Sequence, residues 1–502
     1  MADTDVRKVP GIVAAVRETY NSGVTRPLEW RFQQLRCLHR LIDENTSAIV
    51  AAMHQDLRRP ETEAVLAECV DVLGQILYFE KNLPKLVKNQ KLPTPLHQKP
   101  LAHEVRRDPL GVVTVIAPWN FPIALLFSPL ASVLAAGNTC VVKPSEVSAT
   151  CSRLISELVP KYFDPKVVGV VTGGVPQTTA LLAEKVDHIL YTGGGGVATI
   201  VLEAAAKHLT PVTLELGGKC PTYIDQSANI QVAARRTVMG KNLNAGQVCI
   251  APDHIFIHAK VQEAFLEHLK TEHERLYPGD EQKNPDKSRI VNDRHFQRVC
   301  ALMEGHGGQV VMGGNKDAQD RFLEFTVITN PSRESALMRE EIFGPVLPVI
   351  TVNSVEEAIS QCRGKPIPLA AYVHERDAAV REKWLTEVAS GGACVNDSLY
   401  HIVNNEGGLS GRGESGMGYT RGRPGFETFS HRKIVGFQPP NFDPLAKYPP
   451  YNGVPEFLKN IVMGKTPFWV TLACWAVVGG AASALALFAS KHVSVNFSIS
   501  FH

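Results

Sequence analysis

The chain has 502 residues, 44% of them hydrophobic and 20% charged, enough for roughly two to four domains with cores of their own. Its 52 basic and 50 acidic side chains leave a formal net charge of +2, which lacks the basic footprint of a nucleic-acid binder, so no nucleic-acid partner is expected. Ten cysteines are scattered along the chain, too sparse for a disulfide scaffold and without zinc-site spacing, so reduced thiols and no metal site are expected.

The N-terminus mixes charge with apolar residues and has no signal-peptide core, so residues 1–460 read as cytosolic. Apolar residues at three- and four-residue spacing, such as Leu35, Leu38, Ile42 and Ile49, predict helices over 11–20, 28–56 and 61–82. The pairs Arg58-Arg59 and Arg106-Arg107 read as solvated surface. Four prolines make 84–100 a connector. From 111 to 218 the pattern alternates. GVVTVIAP (111–118), NTCVVKP (138–144), VVGVVTGG (167–174), DHILYTG (187–193) and PVTLELGG (211–218) are strands, separated by helices over 122–136, 147–159, 176–185 and 197–208. These strands are apolar throughout, as in a parallel sheet covered on both faces. The predicted product is a doubly wound dinucleotide-binding domain. A second α/β pattern follows, with helices near 228–244 and 260–275 and strands near 253–258 and 346–351. Residues 403–425, rich in Gly and polar groups, read as loop.

The C-terminus departs from this soluble pattern. Residues 468–490, FWVTLACWAVVGGAASALALFAS, carry no charge. As a helix rising about 1.5 Å per residue, the run would reach roughly 34 Å, enough for a bilayer core of about 30 Å. Lys459, Lys465, Lys491 and His492 flank it, and Trp469 and Trp475 suit an interface. A transmembrane helix over 467–490, inserted after synthesis, would leave the rest of the chain facing the cytosol. Before it, Phe457, Leu458, Ile461 and Val462 share one face of a predicted amphipathic helix within a linker, 436–466. That helix suits the lipid surface.

Three stretches carry the chemistry: Asn244-Ala245-Gly246-Gln247-Val248-Cys249, Leu214-Glu215-Leu216-Gly217-Gly218-Lys219, and Pro118-Trp119-Asn120-Phe121-Pro122. A Gly-containing turn presents Cys249 with its backbone N–H free. Glu215 and Asn120 follow strand ends, which in open α/β sheets face the ligand crevice. Read singly, these are an inert thiol, an exposed charge and a turn amide; together they suit nucleophilic catalysis on a carbonyl.

VTLELGGK, NAGQVC, APWNFP, VVKPSE, EEIFGP and GGLSGRGESGMG followed by FETFSH together resemble the aldehyde dehydrogenase superfamily over about residues 8–435. Within it the chain is similar to the class 3 branch, and its apolar tail to the fatty aldehyde dehydrogenases. The resemblance implies a dinucleotide-binding domain over 1–212 (with 91–111 joining an oligomerisation element), a catalytic domain over 213–395 and an oligomerisation segment over 396–435. It also implies a homodimer. Cys249 would be the nucleophile, Glu215 the general base, and the Asn120 amide with the Cys249 N–H the oxyanion donors. Lys143 and Glu146 would hold the adenosine ribose, Glu341 and Phe343 the nicotinamide side, and the Gly193, Gly194, Gly195 turn the pyrophosphate of NAD. NADP is possible too.

The chain departs from the family pattern in two places. Gly stands at 194 and 195 where a polar residue is usual, with Ala198 in place of a later Gly, so weaker cofactor contacts are expected. Leu409 and Ser410 replace part of PFGG. The implied function is oxidation of medium- to long-chain aliphatic aldehydes at a membrane, that of the endoplasmic reticulum. The alternatives are preference for short-chain or aromatic aldehydes, a catalytically weak membrane-tethered scaffold, and a thioester or ester hydrolase without redox chemistry.

Overall fold

Parity along the strands decides which face each residue covers, because successive side chains leave a strand on opposite sides. In the computed structural model, Val113, Val115, Cys140, Val142 and Leu190 enter one buried cluster. Val112, Ile116, Val141, Ile189, Tyr191 and Leu214 enter another. Helices Leu28–Asp43, Thr46–Leu57, Val70–Leu86, Ala124–Ala136 and Ala149–Tyr162 supply the first cluster. Val9–Asn21, Val175–Ala183 and Gly195–Ala206 supply the second. A sheet with helices on both faces buries every strand residue, which is why Val112–Ile116, Thr139–Lys143 and His188–Thr192 show no polar alternation.

The order in this sheet is Gly416–Met417, Val212–Glu215, His188–Thr192, Val112–Ile116, Thr139–Lys143, Val168–Val170. All its pairs are parallel except that of Gly416–Met417, which lies antiparallel to Val212–Glu215. Chain order reverses on either side of Val112–Ile116, which makes its carboxyl end the crevice where such sheets take ligands.

A second sheet has seven strands, in the order Gln309–Met312, Thr326–Thr329, Val346–Val352, His254–His258, Pro221–Ile224, Ala370–His374, Gly392–Val395. Only the first pair is antiparallel. Parity again sorts its residues. Ile224, Ile255, Ile257, Leu347 and Val349 pack on helices Ile230–Asn242 and Gln262–Leu276. Tyr223, Phe256, Ile350 and Val352 pack toward Val355–Cys362 and Ala378–Glu387.

The structure describes residues 3–95, 100–443, 448–450, 456, 460, 463 and 465. They divide into two compact units, Met1–Lys88 with Arg107–Arg432, and Asn89–Arg106 with the residues from Lys433 on. Among the described residues, no helix is long and apolar enough to cross a membrane. The predicted span over 467–490 and the apolar face of Phe457, Leu458, Ile461 and Val462 lie outside them.

Several sequence expectations are corrected. The helix expected over 28–56 is two, because Asn45 leaves helical geometry and its amide donates to Leu41 O (2.9 Å) and Tyr162 Oη (2.8 Å). The expected connector begins later, since the helix runs through Pro84 to Leu86, held by buried Leu83, and Gln90–Leu92 is a strand. The expected loop over 403–425 contains the Gly416–Met417 strand and enters helix Gly422–Thr428. Arg59, expected at the solvated surface, has no exposed surface at all, whereas Arg58 beside it stays half-exposed in an ion pair with Asp320. Burial of Arg59 is possible because Glu68 and two neighbouring groups receive its charge, as described next.

Candidate active site

Asn120 sits four residues beyond the end of the switch-point strand and is 3% exposed. Its Nδ2 donates to Gln247 O at 3.0 Å, two residues before Cys249. That uses one of its two amide hydrogens, so the second is available. Its own carbonyl accepts from Arg59 Nη2 (2.5 Å) and Asn244 Nδ2 (3.0 Å). Arg59 also pairs with Glu68 at 2.5 Å and lies 4.6 Å over the Phe121 ring. The second Glu68 oxygen accepts the backbone N–H groups of Ile123 (3.0 Å) and Ala124 (2.7 Å). This clamp fixes the PWNFP turn.

The Cys249 turn is fixed as firmly. Asn244 and Ala245 hold left-handed φ values of 50° and 52°, a conformation costly for non-Gly residues and retained only when neighbours enforce it. Gln247 enforces it. Its Nε2 donates to Asn244 O and Arg289 O, both at 2.9 Å, and its Oε1 accepts Val291 N–H at 3.0 Å. Asn244 N–H donates in turn to Glu63 at 2.9 Å. Gly246, at φ 74°, has no room for a Cβ against the Gly344 carbonyl.

Cys249 is half-buried. Burial, with the carboxylates of Glu215 and Glu341 adding to it, pushes its thiol up to about 12, while its own backbone N–H and Arg421 pull the other way. The sulfur therefore lies within the field of Glu215. Burial also raises Glu215, 3% exposed, to about 7, against the bond from Thr420 Oγ1 (2.7 Å) and the charge of Arg421. Arg421 is held by Asp71. Cys249 packs against a buried apolar cluster that includes Leu399 and Leu409, and Phe121, Leu243 and Ile402 pack against the same cluster. Leu409 is thus an apolar wall, exchanging backbone hydrogen bonds with Thr420 (3.0 and 2.9 Å).

Of the residues expected at the cofactor, Lys143 and the Gly193–Gly196 turn lie at the carboxyl ends of strands of the nucleotide sheet, and Glu341 and Phe343 precede strand Val346–Val352 of the other sheet. Gly194–Gly196 open helix Gly195–Ala206, with Gly194 as an N-cap that forms no side-chain bond. Their φ values do not require glycine, and a Cβ on any of them meets nothing within 4 Å. Open space over uncapped N–H groups fits an approaching pyrophosphate. Gly193 differs, since a Cβ there would run into the Tyr191 hydroxyl. Ala198 packs in the core at 2% exposure, so its methyl faces the sheet. Lys143 ends its strand buried and reaches Glu146 at 2.8 Å. Glu341 accepts Gly218 N–H at 3.0 Å, and burial raises it to about 7. Phe343 meets the Trp119 ring edge-on at 5.4 Å. These features fit a dinucleotide laid across the carboxyl ends of the strands.

Sequence reasoning missed Arg59, Glu68, Thr420 and Arg421. No local signal marks them, since Thr420 meets Glu215 across 205 residues of chain and Arg421 meets Asp71 across 350.

Comparison with known proteins agrees with this geometry. The profile described as "Aldehyde dehydrogenase family" matches residues 1–435. The chain is 41% identical over 446 residues to the dimeric NADP-preferring aldehyde dehydrogenase of Canis lupus familiaris, covering 88% of this chain and 98% of that one. It is 41% identical over 441 residues to aldehyde dehydrogenase family 3 member A2 of Mus musculus, covering 87% and 90%. Among solved structures it superposes on the substrate-bound state of Staphylococcus aureus AldH with a TM-score of 0.88 at 35% identity, covering 90% of this chain and 99% of that one. From its site and these relatives together, the chain belongs to the aldehyde dehydrogenase family, as an NAD(P)-dependent enzyme.

Proposed function

We propose that the chain oxidises medium- to long-chain aliphatic aldehydes to carboxylic acids, through a thiohemiacetal and then a thioester on Cys249. The observation that carries this reading is the pairing of the apolar cluster against which Cys249 packs with a neighbouring carboxylate, Glu215, raised to about 7. The Cys249 thiol gives up its proton to solvent water and the sulfur attacks the aldehyde carbon, forming the C–S bond and moving the C=O electron pair onto oxygen. The second Asn120 amide hydrogen and the Cys249 N–H receive that oxyanion; one such donor is typically worth about 2.7–4 kcal/mol of barrier. Bound nicotinamide supplies the hydride acceptor for the oxidation. Glu215 then takes a proton from the water that attacks the thioester carbon. The carboxylic acid leaves and the thiol is restored.

Lys143 and Glu146 hold the adenosine ribose in this reading, and the acidic group disfavours a 2′-phosphate, so NAD is preferred over NADP. Glu341 and Phe343 take the nicotinamide side, and Gly193, Gly194 and Gly195 the pyrophosphate. The protein is a homodimer, with 91–111 and 396–435 serving the contact. The charge-free run at 468–490 anchors it in the endoplasmic reticulum membrane, where long aldehydes partition. The amphipathic helix predicted at 454–465 lies along that lipid surface in this reading.

The test is a chain-length series of saturated aldehydes with NAD and with NADP, on the full chain and on protein ending at residue 435. kcat/KM should rise with chain length in the full chain, higher with NAD, and lose much of that rise on truncation. A flat series in the full chain sinks the aliphatic assignment. A series that truncation leaves unchanged sinks the role of the tail.

A further inference from the structure

At the end of the nucleotide sheet opposite Asn120 and Glu215, a cavity of about 460 Å³ opens beside Pro109 and Leu110, just before strand Val112–Ile116. Arg26, Arg31 and Arg107 line it, together with Tyr20, Asp108 and His431. Arg31 is 5% exposed. Its Nη1 donates to Ala135 O at 3.2 Å and its Nε to Thr25 O at 3.4 Å. Both partners are neutral carbonyls, the first at the C-terminus of helix Ala124–Ala136. The partial negative charge of that helix end, about half an elementary charge, offsets part of the cost of burying a cation there. It does not match a full charge. Three of the five guanidinium N–H donors remain unused.

Among the described residues, neither Arg26 nor Arg31 takes part in an ion pair, and Arg107 meets Glu427 at 3.3 Å. Burial pulls Arg31 down to about 10, the direction expected where no anion compensates it. A buried guanidinium without a carboxylate is unfavourable unless an anion comes to it. Three guanidiniums stand against two carboxylates, Asp108 in the lining and Glu427 on Arg107, and the buried Arg31 has neither of them as an ion-pair partner. A bound anion would balance that remaining charge, and planar guanidinium forks match phosphate oxygens in pairs.

We infer that this cavity binds a phosphate group, as free phosphate or as a small phosphomonoester, with Arg31 at its base and Arg26 and Arg107 at its opening. The site is separate from the dinucleotide, whose glycine turn lies at the other end of the strands.

The test uses the full chain saturated with NAD, so that the pyrophosphate turn is filled. Inorganic phosphate, phenyl phosphate and acetate are titrated by calorimetry into wild type, Arg26→Glu, Arg107→Glu and Arg31→Leu. Both phosphates should bind saturably, acetate at least about tenfold more weakly, and Arg26→Glu and Arg107→Glu should each weaken phosphate about tenfold or more. Tighter binding of phenyl phosphate than of phosphate identifies a phosphomonoester site; equal binding identifies a free-phosphate site. NADH production from a short aldehyde should stay unchanged in Arg26→Glu. Should Arg31→Leu fail to fold, Arg26→Glu and Arg107→Glu still decide. No saturable phosphate binding, binding that both Glu variants leave unaltered, or acetate binding as tightly as phosphate overturns the inference.

Discussion

Glu215 and Cys249 act on each other's protons. Burial, with the Glu215 carboxylate adding to it, raises the neighbouring thiol to about 12, so at neutral pH the resting sulfur is protonated and needs a base or a bound cofactor to become reactive. Glu215→Gln removes that negative charge. The thiolate then forms at lower pH, and the pH profile of Cys249 alkylation by iodoacetamide should move down. Turnover should fall by roughly a hundred- to ten-thousand-fold, as expected for a lost general base. An alkylation profile that moves up instead would mean that Glu215 activates the thiol more than its charge suppresses it.

The same carboxyl leaves a mark on stability. It ionises near 7 in the folded chain and near 4.5 as an ordinary glutamate, so between those values the folded state holds the extra proton. Stability is therefore lost as pH rises through that window, by up to about 3 kcal/mol for this group. Chemical denaturation of wild type and Glu215→Gln should give curves that run parallel below about pH 4.5. They should separate in favour of the variant up to about pH 7, then run parallel again.

The elements that hold these residues were unequally legible in the sequence. Strands Val112–Ile116, Thr139–Lys143 and His188–Thr192 were read correctly because burial on both faces writes an unbroken apolar run. The placement of Cys249, Glu215 and Asn120 at strand ends and turns was readable because each lies beside a short motif. The Gly416–Met417 strand was not, since two residues paired antiparallel at an edge carry no period of their own. Nor was the segment that carries Glu68, where five residues, Val65–Cys69, wind as a π-helix between Glu61–Ala64 and Val70–Leu86. That local widening accompanies a contact with Arg59, which a pair of adjacent arginines in a polar context does not announce. Removing one partner of the Arg59–Glu68 pair strands the other charge in the core. Arg59→Met alone should cost about 3–5 kcal/mol in urea denaturation, and Arg59→Met with Glu68→Leu should recover only part of it, because Glu63, 3.3 Å from Arg59, still loses its cation. The double variant should still lose kcat, because Asn120 O and the Ile123 and Ala124 N–H groups lose their holders. Full activity in the double variant would show that the clamp stabilises the fold without positioning Asn120.

At the scale of the whole molecule, nothing in either of the two mostly parallel sheets accounts for the last 67 residues beyond the 435 that match the family profile. A catalytic body of this kind needs no 23-residue charge-free run, 468–490, to complete its core. Such a run is expensive to leave in water. At about 25 cal/mol for each Å² of apolar surface, its side chains favour a bilayer by far more than the single myristoyl chain that gives only reversible attachment. If it inserts, attachment should survive both high salt and alkaline carbonate, which strip peripheral proteins held by charge. In cells expressing the full chain, NADH-forming activity should sediment with membranes after carbonate extraction, whereas protein ending at residue 465 should be recovered in the supernatant. kcat/KM on a two- or three-carbon aldehyde should be the same for both, because such a substrate reaches Cys249 through water and gains nothing from the lipid. Sedimentation lost to carbonate in the full chain would place the run against protein rather than in lipid. The preference for long aldehydes would then have to arise from the apolar wall at Phe121, Leu399 and Leu409 alone.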